Sequence, residues 1–209
     1  MKTVSSWKKR FVLFGIPTNM KIIPLNVGGA YLIECDRYKD NRGFFQELYH
    51  DNKYPDGIQN CAQVSFSESG KNVFRGIHCS QYNKIVMCMR GRILDICIDL
   101  IETSPTYLQY CTVILDENKS QQVNIPPGCG HAYFTLEDHS YIIYIQGGTF
   151  NEVDEMDVNY KDPKINLQIH ELQQNQIIIS DKDNNAPMLD EARKKWNERH
   201  SILRNVEKK

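Results

Sequence analysis

Residues 84–100 read KIVMCMRGRILDICIDL. The stretch divides at Arg90-Gly91 into two apolar runs separated by a turn pair. In the second run Leu94, Ile96 and Ile98 alternate with Asp95, Cys97 and Asp99. A period of two puts each set on its own face of a strand. One face is therefore apolar and the other carries two carboxylates. Burying those carboxylates costs several kcal/mol unless they find partners. The face of Asp95 is either a solvated outer surface or the polar interior of a closed barrel. The strand alone does not choose between them.

The same pattern extends in both directions. AQVSF, YCTVIL, QQVNI, AYFTL and SYIIYI are rich in β-branched and aromatic residues. Between them lie SESGKN, ETSPT, DENKS, PPGCG, LEDH and GGTFNE. Short strands at this spacing, divided by Gly, Pro and Asn turns, predict a sandwich or barrel. No helical pattern of useful length interrupts them, which disfavours a βαβ parallel sheet. MKIIPLNVGGAYLIE, from Met20, alternates as a first strand. Residues 1–19 follow no clear period and read as an appendage broken at Pro17. Near the other end, an asparagine cap and Pro187 open a helix that places Leu189, Ala192, Trp196 and Leu203 on one face. Asp190 with Lys194 and Glu191 with Lys195 stand four apart as exposed pairs. The predicted organisation is an extension over 1–19, a β domain over 20–185 and a C-terminal helix over 186–209.

A chain of 209 residues with net charge -1 fits one globular domain and carries no global footprint for nucleic acid or an acidic membrane. The seven cysteines are odd in number and form no CxxC pair. Several sit in apolar runs, where a thiol acts as a small hydrophobe, so the expected compartment is the reducing cytoplasm. No stretch approaches the ~20 apolar residues of a membrane span, and the basic N-terminus lacks a signal-peptide core with a cleavage site.

His78 stands at the head of the apolar block, with Arg75 before it and Lys84 after it. A lone histidine is more often structural than catalytic. Here IPPGCGHAYF adds His131 after a Pro-Gly turn, and SYIIYI places Tyr144 on the face of Ile142. If these groups meet in one barrel, two imidazoles, a phenol and a cationic pair form a proton-transfer site with an anion clamp. Spacing alone does not bring them together. Metal-binding cupins commonly carry an HxH pair with a following Glu and a later His. HCSQYNK has one histidine and no Glu, and PPGCGH supplies a single further ligand. A metal wants three or more protein ligands, so no catalytic metal and no cofactor are predicted.

DNRGFFQE, FRGIH, KIVMCMRGRILDICIDL, SPT, IPPGCGHAYF, NYKDP and IISDKD follow one another in this chain. Their ordered set resembles the dTDP-4-dehydrorhamnose 3,5-epimerase family over roughly residues 20–183. The resemblance implies an all-β, cupin-type jelly-roll barrel. It implies a nucleotide-diphosphate 4-keto-6-deoxy sugar as substrate, no metal, and a homodimer that exchanges N-terminal strands. By position, His78 matches the family's general base and Asp183 its dyad carboxylate. Lys84 matches the lysine near the developing enolate, Arg75 the arginine beside it, and Tyr144 the tyrosine across the sugar. Arg42, Phe45, Glu47 and Gln63 match contacts to the nucleotide or diphosphate. Asp95, His131 and Phe150 match pocket positions.

The chain also departs from the family pattern. The loop between His78 and Lys84 is shorter, and TF (Thr149, Phe150) stands where many members have two tyrosines. Ser65 replaces a common asparagine, and Tyr160 a usual tryptophan. These changes leave open the nucleotide (dTDP, GDP or CDP), the sugar, and whether C3, C5 or both are inverted. The alternatives are a 3,4-ketoisomerase on the same barrel, a non-catalytic sugar-nucleotide-binding barrel, and a metal-dependent cupin oxygenase.

Overall fold

The computed structural model describes residues 20–50, 53–54, 61–151 and 154–206, with side chains to residue 201. The predicted appendage at 1–19, and Leu203 as a packing residue, lie outside what is described. Among the described residues, thirteen strands and three helices follow in order. The strands are β1 (Met20–Pro24), β2 (Tyr31–Cys35), β3 (Arg37–Asp40), β4 (Gly43–Gln46), β5 (Gln63–Ser69), β6 (Phe74–Cys79) and β7 (Lys84–Arg90). They continue as β8 (Arg92–Asp99), β9 (Tyr110–Asp116), β10 (Gln121–Ile125), β11 (Cys129–Thr135), β12 (Ser140–Gln146) and β13 (Met156–Asp157). The helices are α1 (His170–Gln174), α2 (Asp181–Asn184) and α3 (Leu189–Val206).

Two antiparallel sheets form the body. One has the order β1-β2-β10-β7-β12-β5, the other β13-β6-β11-β8-β9, and β3 and β4 make a separate hairpin. The predicted first strand is in fact two. β1 and β2 pair antiparallel, because the Asn26–Gly29 turn reverses the chain between them. The strand at AQVSF runs on through Ser69, three residues further than its apolar pattern.

Strand alternation builds three apolar layers. Ile93 and Cys97 of β8 meet Val86, Val123 and Ile142 of the other sheet in the interior. Leu94, Ile96 and Ile98 turn the other way and pack beneath Leu189, Ala192 and Trp196 of α3. Ile33, Ile85 and Met87 cover the outside of the six-stranded sheet. Each side chain fully buried in this way stabilises by roughly 1.5–3 kcal/mol. The Asp95 face is thus the barrel interior, and Asp95 is only 1% exposed.

The C-terminal helix forms, with different caps from those expected. Asn185 closes α2 by donating its backbone N–H to the Asp181 carbonyl. The first N–H of α3, from Leu189, is instead taken by Asp162 Oδ2 at 2.7 Å. Glu191 pairs with Lys195 at 2.7 Å as predicted, but Asp190 pairs with Lys164 instead of Lys194. A side chain from the neighbouring loop is there the nearer cation. The seven cysteines are free thiols. Among the described residues no helix is long and apolar enough to cross a membrane.

Candidate active site

A cavity of about 240 Å³ opens between the two sheets. Ser67 of β5, Lys84 of β7, and Tyr144 and Gln146 of β12 line it from one sheet. Arg75 and His78 of β6, with His131 and Tyr133 of β11, line it from the other. Tyr82, Phe150 and Glu155 complete it from connecting segments.

His78 reaches the cavity through a distorted strand. Gly76 has φ +123°, and a Cβ there would come within 2.6 Å of Ala132 Cβ and the His131 carbonyl. The FRGIH stretch therefore needs glycine at this point. Asp183 arrives from far along the chain. The backbone of Ile178 bonds to Phe74 N and Asn72 O, at 2.9 and 2.8 Å, which docks the 177–180 segment on β6. Ser180 then caps α2 by accepting from Asp183 N at 3.1 Å. The result is a dyad: His78 Nε2 lies 2.9 Å from Asp183 Oδ1, while Gly76 N–H donates to Asp183 Oδ2 at 3.1 Å. Burial pushes the Asp183 carboxyl up, but the hydrogen bond and charge of His78, with Gly76 N–H and Lys182, outweigh it. The carboxyl ends below its ordinary range. With Nε2 committed to a carboxylate, Nδ1 is the ring nitrogen left to accept a proton.

A second imidazole–carboxylate pair sits alongside. His131 Nε2 is 2.7 Å from Asp95 Oδ2, and both residues are buried. The His131 ring stands edge-on to Tyr144, with centroids 6.2 Å apart. Tyr144 OH bonds to Ser67 Oγ at 3.1 Å, and Ser67 to Tyr133 OH at 3.2 Å. Ser69 continues the chain from Tyr133 and accepts from Arg75 Nε, both at 3.1 Å. Burial first, then the neighbouring Tyr133, push the Tyr144 phenol well above its usual range. It is therefore a neutral O–H donor at neutral pH.

Lys84 is 7% exposed. Burial pushes its ammonium down from the usual lysine value, and nearby Glu155 opposes that shift. Lys84 Nζ lies 3.9 Å from Glu155 Oε2. Glu155 also accepts from Ser80 Oγ and, at 3.1 Å, from Tyr82 OH.

Of the predicted positions, His78, Lys84, Tyr144, Arg75, His131 and Phe150 line this one cavity. Asp183 and Asp95 join through the two histidines. Gln63 joins through Phe150, whose N–H donates to Gln63 Oε1 at 2.9 Å. Arg42, Phe45 and Glu47 are not among the described lining residues. Arg42 pairs with Asp40 at 2.5 Å on the exposed β3–β4 hairpin, Phe45 is exposed, and Glu47 pairs with Lys53 at 2.6 Å.

Sequence reasoning missed Tyr82, Tyr133, Gln146, Glu155 and Asp157. Asp157 Oδ1 is buried without a hydrogen bond, 3.8 Å from His78 Nε2, while its other oxygen holds Lys182 at 3.0 Å. Among the described residues, no group of three or more His, Cys, Asp or Glu side chains is placed to hold a metal.

Known proteins resemble this chain in sequence and fold. A family profile described as dTDP-4-dehydrorhamnose 3,5-epimerase matches residues 24–191. The dTDP-4-dehydrorhamnose 3,5-epimerase of Mycolicibacterium smegmatis is 33% identical over 176 residues, 80% of this chain and 85% of that protein. The dTDP-4-dehydrorhamnose 3-epimerase of Streptomyces niveus is 30% identical over 181 residues, 83% of this chain and 86% of that one. The solved structure of a dTDP-6-deoxy-D-glucose-3,5-epimerase from Legionella pneumophila, in complex with dTDP-4-keto-L-rhamnose, superposes with a TM-score of 0.77 at 30% identity. That likeness covers 82% of this chain and 94% of the other. With barrel, cavity and ordered motifs all in agreement, the chain belongs to the dTDP-4-dehydrorhamnose 3,5-epimerase family of isomerases.

Proposed function

We propose that the chain inverts C3, or C3 and C5, of a nucleotide-diphosphate 4-keto-6-deoxy sugar, with His78 as base and Tyr144 as acid. One observation carries the reading. His78 and Tyr144 come from different sheets yet line the same cavity, and Lys84 of β7 lines it with them. The relatives' names favour dTDP as the nucleotide.

A hydrogen beside a ketone is weakly acidic, so its removal needs a placed base and a cation at the ketone oxygen. Nδ1 of His78 takes the proton from C3, and the C–H electron pair moves to form the C3–C4 double bond. The C4 oxygen becomes an enolate, which the Lys84 ammonium stabilises. Such a contact is often worth ~3–4 kcal/mol. Asp183 holds the base tautomer and balances the imidazolium that forms. Tyr144 then gives its proton to C3 from the opposite side of the ring. The electron pair returns from C4–O⁻, and inversion is complete. The transient phenolate is met by the Ser67 hydroxyl and the positive field of Arg75. Once the imidazolium has given its proton to solvent and the phenolate has regained one from it, a second round at C5 uses the same groups.

The sequence match assigns Arg42, Phe45 and Glu47 to the nucleotide. We place them at the cavity of a second copy, across a homodimer that shares its N-terminal hairpin. The exposed Phe44 and Phe45 on that hairpin, with Val64 and Phe66 on the outer face of edge strand β5, form apolar surface suited to such a contact.

The test is incubation with dTDP- and GDP-linked 4-keto-6-deoxy sugars in heavy water, followed by proton NMR. The expected result is deuterium at C3, or at C3 and C5, with a new sugar epimer. Movement of the carbonyl to C3 would instead identify a ketoisomerase, and silence with every donor a binding barrel.

A further inference from the structure

Lys84 poses a problem that the residues matched to the family do not solve. A buried ammonium is costly unless a counter-charge stands near it. The groups around it are varied. His78, Arg75 and the Cys79 thiol come from β6, Tyr82 from the preceding loop, His131 and Tyr133 from β11, and Tyr144 from β12. Asp157 acts on it at longer range and is already held by Lys182. Among the described residues, Glu155 is the carboxylate within ion-pair distance, at 3.9 Å.

Glu155 is itself buried, and its position is built. Ser80 and Tyr82 donate to its carboxylate, and Gln146 Nε2 orients the Tyr82 hydroxyl at 2.9 Å. Its backbone is held from outside by α3. Arg199 donates to the Glu155 carbonyl at 3.0 Å, and Trp196 Nε1 to the Asp154 carbonyl at 3.3 Å. His200 pairs with the Asp154 carboxylate at 3.2 Å. Residues 192–206 of this helix lie beyond the span the family profile matches.

We propose that Glu155 is a positioning residue for the reaction: its buried carboxylate keeps the Lys84 side chain charged and in place, and helix α3 holds Glu155 there. This inference rests on the role given to Lys84 above. Its physical content is a coupling across the wall of the barrel. None of the described side chains of the helix lines the cavity, yet the helix fixes the backbone of the residue that keeps the enolate-stabilising cation cationic. Burial alone would favour the neutral amine, which could not stabilise the enolate by charge.

The experiment reads Lys84 directly. Protein labelled with ¹⁵N at lysine Nζ is titrated by NMR, with Lys84→Arg identifying the signal. In Glu155→Gln the Lys84 titration is expected at lower pH than in the parent protein. Turnover at alkaline pH should fall by about 10²-fold, the scale of losing one charge contact to a developing oxyanion. Glu155→Asp, which keeps the charge, should recover part of both. Arg199→Ala should move the midpoint in the same direction by less. An unchanged Lys84 midpoint in folded Glu155→Gln overturns the proposal. If that variant does not fold, unchanged midpoints in both Glu155→Asp and Arg199→Ala overturn it. The NMR readout needs no substrate, so an inactive parent protein would count against the proposed reaction and leave this test standing.

Discussion

At the scale of single residues, the proposal separates two proton transfers that one assay can distinguish. His78 and Tyr144 stand on different sheets around one cavity. Removing the acid leaves the base able to take a proton and return one from solvent. Tyr144→Phe should therefore still exchange the sugar C–H in heavy water while losing inversion. His78→Asn should lose both, with turnover down by ~10²–10⁴-fold. Equal loss of exchange in the two variants would undo the division of labour. The Asp183 carboxyl is held below its ordinary range. A depressed carboxylate contributes stability above its unfolded pKa, about 3.9, and loses it as pH falls through the lower folded value. Asp183→Asn should thus be less stable than the parent near pH 7, with the gap closing at acid pH in urea melts. Legibility at this scale was uneven. His78, Lys84 and Tyr144 were found because each sits beside or within an apolar strand. Glu155 and Asp157 lie in the acidic stretch NEVDEMDV, which carries no period and reads as solvated. Glu155 is buried by tertiary contacts, with Ser80 and Tyr82 on its carboxylate and Arg199 of α3 on its carbonyl.

At the scale of elements, the sequence announced the strands that alternate and missed those that do not. β7 to β12 have five to eight residues each, with β-branched or aromatic side chains in register. β3 and β4 are RYKD and GFFQ, on an exposed hairpin where alternation records no burial. β13 has two residues, and α1 and α2 have five and four, too short for any periodic signal. β6 is the instructive case. Gly76 breaks its pattern because the strand passes against Ala132 and the His131 backbone. Gly76→Ala should destabilise by roughly 1–3 kcal/mol, since it adds both backbone strain and overpacking. Activity should fall further than stability explains, because Gly76 N–H also holds Asp183. Denaturant midpoints and turnover measured on the same sample would show it. A variant with parental stability would mean that the strand moves aside at little cost.

At the scale of the whole molecule, the open matter is which chain completes which cavity. The barrel supplies the dyad, the lysine and the phenol by itself. Arg42 and Phe45, matched to the nucleotide, stand instead on an exposed hairpin. If that hairpin serves a partner's barrel, each site is shared between two chains, and a two-fold dimer holds two such sites. The arrangement makes a prediction by counting. Let one chain carry His78→Asn and the other Arg42→Ala, each nearly inactive alone. In a heterodimer the intact barrel belongs to the Arg42→Ala chain and receives the intact hairpin of its partner. The other site holds both defects. After equal mixing and subunit exchange, half the dimers are mixed and each has one good site, so about a quarter of all sites become active. Were the hairpin to serve its own barrel, every site would keep one defect and no mixture would gain activity. Turnover of the exchanged mixture, set against the two parents, therefore decides whether this barrel works alone or only in pairs.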